Sequence, residues 1–129
     1  AERPEFNTVS TNSAYSNVMS QKISQRMERV SKYIQDHYQG TITLSEIADV
    51  ASMTEQSFSR WFRQTSGLTF VDYLMQLRTT VASNLLINTN KAMTEVAEES
   101  GFNSSSSFNR AFLKIKGCSP REFRKKRAF

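Results

Sequence analysis

Hydrophobic residues recur along most of this chain at spacings of three and four, the pattern of helices that bury one face. The first stripe predicts a helix over about 21–38, which begins after Ser20 and ends at Gly40. Similar stripes predict six more helices, over about 44–51, 55–65, 70–87, 93–99, 104–115 and 120–127. No alternating pattern of the strand type competes with them. The sequence therefore predicts an all-α fold of seven helices.

Helix-start signals support three of these helices. Thr43, Thr69 and Ser119 are each followed three residues later by an acidic residue, the arrangement known as a capping box. Pro120 occupies the first position of the last helix, where its missing N–H group costs nothing. The helix over about 70–87 is long and central, and we expect it to join two lobes rigidly.

One motif occurs twice, over residues 44–73 and 93–123. Leu44, Ile47-Ala48 and Met53 correspond to Met93, Val96-Ala97 and Phe102. Phe58-x-Arg60-x-Phe62 and Gly67 correspond to Phe108-x-Arg110-x-Phe112 and Gly117. The offset grows from 49 to 50 residues between these two sets, so the second copy has one extra residue in its turn. Each copy predicts a short helix, a turn and a second helix.

This arrangement is typical of the helix-turn-helix motif, whose second helix lies in the major groove of DNA. Ala48 and Ala97 are small enough to let the helices of each copy approach closely. We expect the phenylalanines to anchor each second helix and to hold Arg60 and Arg110 between them. Arginine binds guanine or phosphate through two parallel hydrogen bonds. The alternative is that both arginines are structural and pin their lobes through a carboxylate or a helix C-terminus.

Positive charge is concentrated towards the C-terminus. Residues 101–129 carry a net charge of +7, whereas residues 1–100 carry −2. This asymmetry favours a polyanionic partner, although the run Arg124–Arg127 is equally compatible with a solvated basic tail.

Cys118 is the single cysteine, which excludes an intrachain disulfide and a cysteine metal cluster. No apolar run is long enough to span a bilayer, and no cofactor is predicted.

The chain resembles the C-terminal DNA-binding domain of the AraC/XylS family of bacterial transcription regulators. The resemblance is strongest in Gly101-Phe102, Phe108-x-Arg110-x-Phe112 and Gly117-x-Ser119-Pro120-x-x-Phe123-Arg124. The first copy contributes Leu44-x-x-Ile47-Ala48, Phe58-x-Arg60-x-Phe62, Gly67 and Tyr73-x-x-x-x-Arg78. Phe123 and Leu113 depart from the family pattern, where a tyrosine and a basic residue are usual. The match covers about residues 21–127, with helix-turn-helix motifs at 44–65 and 93–116.

The resemblance implies two homeodomain-like lobes whose recognition helices enter successive major grooves, about 34 Å apart. The base-reading positions carried over to the first lobe are Gln56, Ser57, Ser59, Arg60 and Arg63. Those carried over to the second lobe are Ser104, Ser105, Ser106, Asn109 and Arg110. Lys114, Lys116 and Arg121 would hold phosphates, together with backbone amides at the helix starts.

The second recognition helix begins with four serines, Ser104 to Ser107, where longer side chains would have reached base edges. Serine is short and hydrogen-bonds to several base types, whereas the side chain of Asn109 suits adenine. We therefore expect the first lobe to discriminate between sequences and the second lobe to rely more on phosphate contact.

The resemblance also implies partners and a cellular setting. Activators of this family contact RNA polymerase, and many members carry a separate sensor or dimerisation domain. We therefore expect double-stranded DNA and RNA polymerase as partners, no membrane contact, and a cytoplasmic location at the nucleoid. We expect this fragment to be monomeric and the full-length protein to be able to dimerise through an N-terminal domain. Residues 1–20 are polar, and we interpret them as a flexible linker or a cloning remnant.

Two rival functions have weaker support. An enzyme would use His37 and Cys118, but His37 closes an apolar stripe and Cys118 takes the place of Leu68. No phosphate loop or HExxH motif occurs, so we expect no enzymatic activity. A helical protein-interaction module would use acidic faces, with only weak non-specific affinity for DNA. These faces carry Glu46, Asp49, Glu95, Glu98 and Glu99.

Overall fold

The computed structural model describes residues 10–127. Within that range the chain forms seven α-helices and no strand, which confirms the predicted fold class. The helices are α1 (Ser10–His37), α2 (Leu44–Val50), α3 (Glu55–Ser66), α4 (Phe70–Asn88), α5 (Met93–Glu99), α6 (Ser105–Lys116) and α7 (Pro120–Arg127). Helices α1 to α3 and the start of α4 form the first lobe. The end of α4 and helices α5 to α7 form the second.

Helix α1 is longer than its hydrophobic stripe predicts. It begins at Ser10 rather than near residue 21, so part of the expected linker is helical. All residues from Ser16 to Gln25 are exposed, and burial starts only further along, where Val30 and Ile34 enter the core. Hydrophobic spacing could not reveal a helical stretch that has no buried face. The division of the chain at residue 20 stays a prediction, and residues 1–9 lie outside the described residues.

Two separate hydrophobic clusters form the cores of the lobes. The first contains Val30, Ile34, Ile42, Ile47, Ala48, Ala51, Phe58, Phe62, Phe70 and Leu74. The second contains Ala82, Leu86, Val96, Ala97, Phe102, Phe108, Ala111, Phe112 and Phe123. Burial of each large side chain contributes about 1.5–3 kcal/mol, which makes these clusters the main stabilising term of each lobe. None of the helices described between residues 10 and 127 combines the length and apolar character needed to cross a membrane.

Helix α4 belongs to both clusters. Phe70 and Leu74 pack into the first, and Ala82 and Leu86 pack into the second. Thr79 lies between these pairs and is fully buried. Helical spacing in the sequence groups Tyr73, Leu74, Leu77, Val81, Leu85 and Leu86 into one apolar stripe, but of these only Leu74 and Leu86 are buried. The buried side changes along the helix because it passes from one lobe to the other, and a single continuous stripe cannot describe that change.

Hydrogen bonds at the helix starts explain where several helices begin. The Thr43 hydroxyl accepts a hydrogen bond from the Glu46 N–H at 3.1 Å, and the Glu46 carboxylate accepts one from the Thr43 N–H at 3.1 Å. The same reciprocal pair opens α7, as predicted. Only half of the predicted box forms at α4. There the Thr69 hydroxyl accepts from the Asp72 N–H at 3.1 Å, and no return bond occurs within the described residues.

The turns of the two motifs are closed by equivalent hydrogen bonds. The N–H of Met53 donates to the carbonyl oxygen of Ala48 at 2.9 Å. The N–H of Phe102 donates to the carbonyl oxygen of Ala97 at the same distance. The two alanines therefore lie at the turn in both lobes, as the alignment of the two copies predicts.

Left-handed backbone occurs at the same place in both turns. Ser52 has a φ of 59°, and Gly101, 49 positions later, has a φ of 94°. The extra residue of the second copy is Asn103, which lies between its turn and the capping residue Ser104. In the first copy the equivalent cap, Thr54, follows the turn directly. The insertion therefore changes how the chain enters α6 and leaves the turn itself unchanged.

Candidate functional site

Helices α3 and α6 are the equivalent second helices of the two motifs. Phe58 and Phe62 on α3 are fully buried, and their ring centroids lie 5.4 Å apart. Phe108 and Phe112 on α6 are buried to the same degree, with ring centroids 5.8 Å apart. These rings attach one side of each helix to its lobe, so the opposite side is turned towards solvent.

Every residue carried over as a base reader or a phosphate ligand is exposed. On α3 these residues are Gln56, Ser57, Ser59, Arg60 and Arg63. At the start of α6 and along it they are Ser104, Ser105, Ser106, Asn109, Arg110, Lys114 and Lys116, with Arg121 following on α7. Both helices thus present a polar side that a large partner can reach. The role of each residue stays a prediction.

Ser104 also has a structural role at the start of α6. Its hydroxyl oxygen accepts a hydrogen bond from the Ser107 N–H at 3.1 Å and lies 3.2 Å from the Ser107 hydroxyl. A capping hydroxyl of this kind stabilises a helix by about 1 kcal/mol, so contact with a base would compete with the cap. Ser105 and Ser106 have no such bond within the described residues, and they are the better candidates among the serines.

Arg60 and Arg110 do not pin their lobes. Both are exposed, and among residues 10–127 neither guanidinium has a hydrogen-bonding or ionic partner. This observation disfavours the structural alternative considered for them. Arg78 and Arg124 perform that structural role instead, and each binds backbone carbonyls at or just beyond the C-terminal end of a helix.

Arg78, on α4, binds the turn that follows the C-terminal end of α1. Its Nε donates to the carbonyl oxygen of Tyr38 at 3.0 Å, and a terminal nitrogen donates to the carbonyl oxygen of Gly40 at 2.8 Å. Partial burial lowers the pKa of this guanidinium, which nevertheless stays charged because arginine is not deprotonated in proteins. Hydrogen bonds from a charged group to carbonyls that a helix leaves unpaired contribute about 1.5–3 kcal/mol each.

Arg124, on α7, binds the C-terminal end of α4 in the same manner. Its nitrogens donate to the carbonyl oxygens of Leu86, Thr89 and Lys91 at distances of 3.1, 3.1 and 2.8 Å. It is partly buried, whereas residues 125–127 are exposed. The basic run at the C-terminus is therefore not one surface. Its first residue holds the second lobe together, and only the following residues remain as a solvated basic segment.

An open groove of about 440 Å³ separates the N-terminal half of α4 from α6. The apolar residues that line it are Leu68, Val71, Met75, Ala111 and Ile115. Arg110 and Lys114 line the same groove from α6. The two basic side chains therefore lie on the side of α6 that faces the first lobe.

The fold and these two surfaces define a class of protein, the two-lobe helix-turn-helix DNA-binding domain. A family model described as a helix-turn-helix domain matches residues 47–126, which include most of both motifs. The chain belongs to the AraC/XylS family of these domains, which confirms the resemblance seen in the sequence. Members of this family are DNA-binding transcription regulators.

Individual relatives support the same assignment. The chain is 32% identical over 97 residues to the probable transcriptional regulator LumQ of Photobacterium leiognathi, covering 75% of this chain and 39% of that protein. It is 32% identical over 102 residues to the transcriptional activator RhaS of Enterobacter sp. (strain 638), covering 79% and 37%. The solved DNA-binding domain of the global transcriptional factor AdpA, in complex with a target DNA, has a TM-score of 0.72 and 27% identity. That match covers 75% of this chain and 87% of that chain. The chain spans less than two fifths of the length of these two curated relatives.

Proposed function

We propose that this domain binds double-stranded DNA sequence-specifically, with α3 and α6 as recognition helices in successive major grooves. The observation that carries the proposal is the pair of equivalent helices, each braced by buried phenylalanines and each presenting an exposed polar side. On each of these two helices the central arginine, Arg60 or Arg110, has no hydrogen-bonding or ionic partner among the described residues. A major groove admits one α-helix, and an unpaired arginine suits guanine or phosphate.

The two lobes contribute differently in this proposal. Helix α3 presents Gln56, Arg60 and Arg63, which are long enough to reach base edges. Helix α6 presents the short serines of its first turn, then Asn109 and Arg110, and then the basic residue Lys114. The first lobe therefore supplies most of the sequence discrimination, and the second adds adenine recognition and phosphate contact. Lys116 and Arg121 extend the phosphate contacts.

For the whole protein we propose a transcription activator, because RhaS carries that name and the family regulates transcription. An activator binds DNA and contacts RNA polymerase, so the protein acts in the bacterial cytoplasm at the nucleoid. The exposed acidic residues Glu95 and Glu98 on α5 offer a surface for the polymerase. We propose that the domain binds as a monomer and that dimerisation belongs to an N-terminal domain.

Catalysis has no place in this proposal. His37 lies on α1, where its ring stacks on Tyr33 with centroids 4.0 Å apart and its Nδ1 lies 2.8 Å from the Tyr33 carbonyl oxygen. Cys118 packs against the core of the second lobe. The two residues that an enzyme would use therefore serve different parts of the fold.

The experiment that tests the proposal is selection of binding sites from random-sequence duplexes, followed by sequencing, at two salt concentrations. The expected result is one asymmetric site with two short blocks about one helical turn, or about 34 Å, apart. The block contacted by α3 should have the higher information content. Binding without any motif, which vanishes steeply as salt rises, would mean phosphate attraction alone and would contradict the proposal. A tight protein partner found in place of DNA would favour the interaction module.

A further inference from the structure

The turn that follows α1 contacts the second lobe. The side-chain Nε2 of Gln39 donates a hydrogen bond to the backbone carbonyl oxygen of Glu99 at 2.9 Å, between residues 60 positions apart. Glu99 is the last residue of α5, the first helix of the second motif. The two lobes are therefore joined directly at this point, in addition to their connection through α4.

Gly101 brings the turn of the second motif against the turn that follows α1. A Cβ atom added to this glycine would lie 2.3 Å from the carbonyl oxygen of Tyr38 and 2.8 Å from Nε of Arg78. No side chain fits at such distances, and the φ of +94° independently favours glycine. The absence of a side chain is what allows the turn of the second motif to approach this backbone.

Arg78 holds the turn after α1 in this position. Its hydrogen bonds to the carbonyl oxygens of Tyr38 and Gly40 fix the turn that follows α1, and its Nε lies next to Gly101. One guanidinium thus contacts the first lobe, the central helix and the turn of the second lobe. We name this set of residues the interlobe clasp: Tyr38, Gln39, Gly40, Arg78, Glu99 and Gly101.

We infer that the interlobe clasp sets the distance and angle between the two recognition helices, and so determines which spacing of DNA blocks the domain accepts. This inference rests on the proposed two-groove binding. A connection through a single helix leaves bending free, because long helices curve. A second attachment away from the axis of α4 removes that freedom. One added base pair shifts the second block by about 3.4 Å and rotates it by about 34°, which a rigid pair of lobes does not follow.

The chain supplies a matched control for this inference. Arg124 makes three hydrogen bonds to the end of α4, and all of them lie within the second lobe. Arg124→Ala therefore removes an arginine–helix contact of the same kind as Arg78→Ala without opening the interlobe clasp. The first turn differs: Ser52, the equivalent of Gly101, is exposed. The carbonyl oxygen of Val50, the equivalent of that of Glu99, accepts from Arg29 Nε on α1 at 3.4 Å, and this bond lies within the first lobe.

The test measures binding of the wild type, Gln39→Ala, Arg78→Ala and Arg124→Ala to duplexes that carry the selected blocks at different spacings. Spacings are the selected one and those one or two base pairs shorter or longer. We expect the wild type and Arg124→Ala to lose about tenfold or more in affinity for each one-base-pair change. Gln39→Ala and Arg78→Ala should lose less than about threefold, because their lobes adapt to the new spacing.

The outcomes separate this inference from the function on which it rests. A wild type without any spacing preference would contradict the two-groove proposal itself. A spacing preference that Gln39→Ala and Arg78→Ala retain unchanged would overturn the role of the clasp alone. The role of the clasp would also be overturned if Arg124→Ala reduced the spacing preference as much as the two clasp variants do. General destabilisation would then explain all three variants.

A second measurement keeps the inference testable without DNA and without Arg78→Ala, should that variant fail to fold. Spin labels are placed at the equivalent exposed positions Ser59 and Asn109 in a Cys118→Val background. The distance distribution between the labels should be narrow in the wild type and broader with Gln39→Ala. A distribution of equal width with and without Gln39→Ala would overturn the inference.

Discussion

The two lobes are copies of one unit that have kept their interiors and diverged at their edges. Both bury a pair of phenylalanines behind the second helix, and both close the turn on an alanine carbonyl. They differ in the residue at the left-handed turn position, in the cap of the first motif helix and in the polar side of the recognition helix. A duplicated unit therefore retains what its own core requires and changes where its surroundings differ.

The turn position shows this most clearly. In the first lobe Ser52 occupies it and is exposed. In the second lobe Gly101 occupies it, because the Tyr38 carbonyl oxygen, in the turn after α1, lies 2.3 Å from where a Cβ would be. Left-handed backbone alone does not decide the residue here, since a serine is accepted at the equivalent site. The neighbouring lobe decides it.

The largest expected effect concerns what the lobes share. Phe62→Ala and Phe112→Ala should each reduce the free energy of unfolding by about 3–5 kcal/mol, because both side chains are fully buried in their own cluster. Urea denaturation followed by circular dichroism measures this loss. Val71→Ala, at a side chain that is 63% exposed, is the control and should change stability by less than about 0.5 kcal/mol.

The fluorescence of Trp61, the single tryptophan, reports the unfolding of the first lobe alone. With Phe112→Ala, a fluorescence transition that stays at the wild-type urea concentration would show that the first lobe unfolds independently. A transition that moves together with the circular dichroism signal would show that the lobes unfold as one unit. A large loss for only one phenylalanine would contradict the equivalence of the two cores.

The second prediction concerns the polar sides of the recognition helices. Gln56→Ala should lose about 1–3 kcal/mol of discrimination at one base pair, because its amide reads a base edge. Lys114→Ala should weaken binding to all sequences alike. It should also lower the slope of log affinity against log salt concentration by about one, because one fewer counterion is released. Fluorescence anisotropy with single-base variants of the selected site, at several salt concentrations, measures both quantities. Identical behaviour of the two variants would refute the division of labour between the lobes.

The third prediction reverses the difference between the two caps. Thr43 caps α2 through its hydroxyl, whereas Ala92 begins α5 without a side-chain acceptor. Ala92→Thr should therefore stabilise the protein, and Thr43→Ala should destabilise it, each by about 0.5–1 kcal/mol. Thermal denaturation of the two single variants and the double variant measures the effects. We expect them to cancel in the double variant, and a loss of stability with Ala92→Thr would show that the backbone at this start does not accept a cap.

The smallest expected effect is on the pH dependence of stability. A hydrogen bond from the Tyr33 hydroxyl, with the Thr43 N–H, holds the pKa of Glu46 below its usual value. The Ser119 N–H lowers the pKa of Glu122 in the same direction. A carboxyl with a lower pKa in the folded state stabilises above its unfolded pKa of about 4.3, and this stability is lost as the pH falls through the folded pKa.

Denaturation midpoints measured from pH 7 down to about pH 3 should therefore fall less steeply in acid with Glu46→Gln and with Glu122→Gln than in the wild type. The effect should be larger with Glu46→Gln than with Glu122→Gln, because Glu46 also accepts a hydrogen bond from the Tyr33 hydroxyl. An unchanged acid slope in both variants would show that other groups dominate the titration.

Four arginines show which features of the structure the sequence could predict and which it could not. The exposed positions of Arg60 and Arg110 follow from helical spacing, because each lies between two phenylalanines of the buried side. The structural roles of Arg78 and Arg124 do not, because their partners are backbone carbonyls 33 to 40 positions away. The family pattern contains both residues, but the pattern alone assigns them no partner.

The sequence by itself determined the helical class, the repeat, the buried phenylalanines and the exposure of the two polar sides. These features depend on local spacing, since a helix with a period of 3.6 residues turns the same positions inward whatever it packs against. Only the tertiary structure decided the burial of Thr79 and the contact of Gly101 with the turn that follows α1. Both depend on how the two lobes meet. That information lies in the relative placement of distant segments, which residue spacing does not encode.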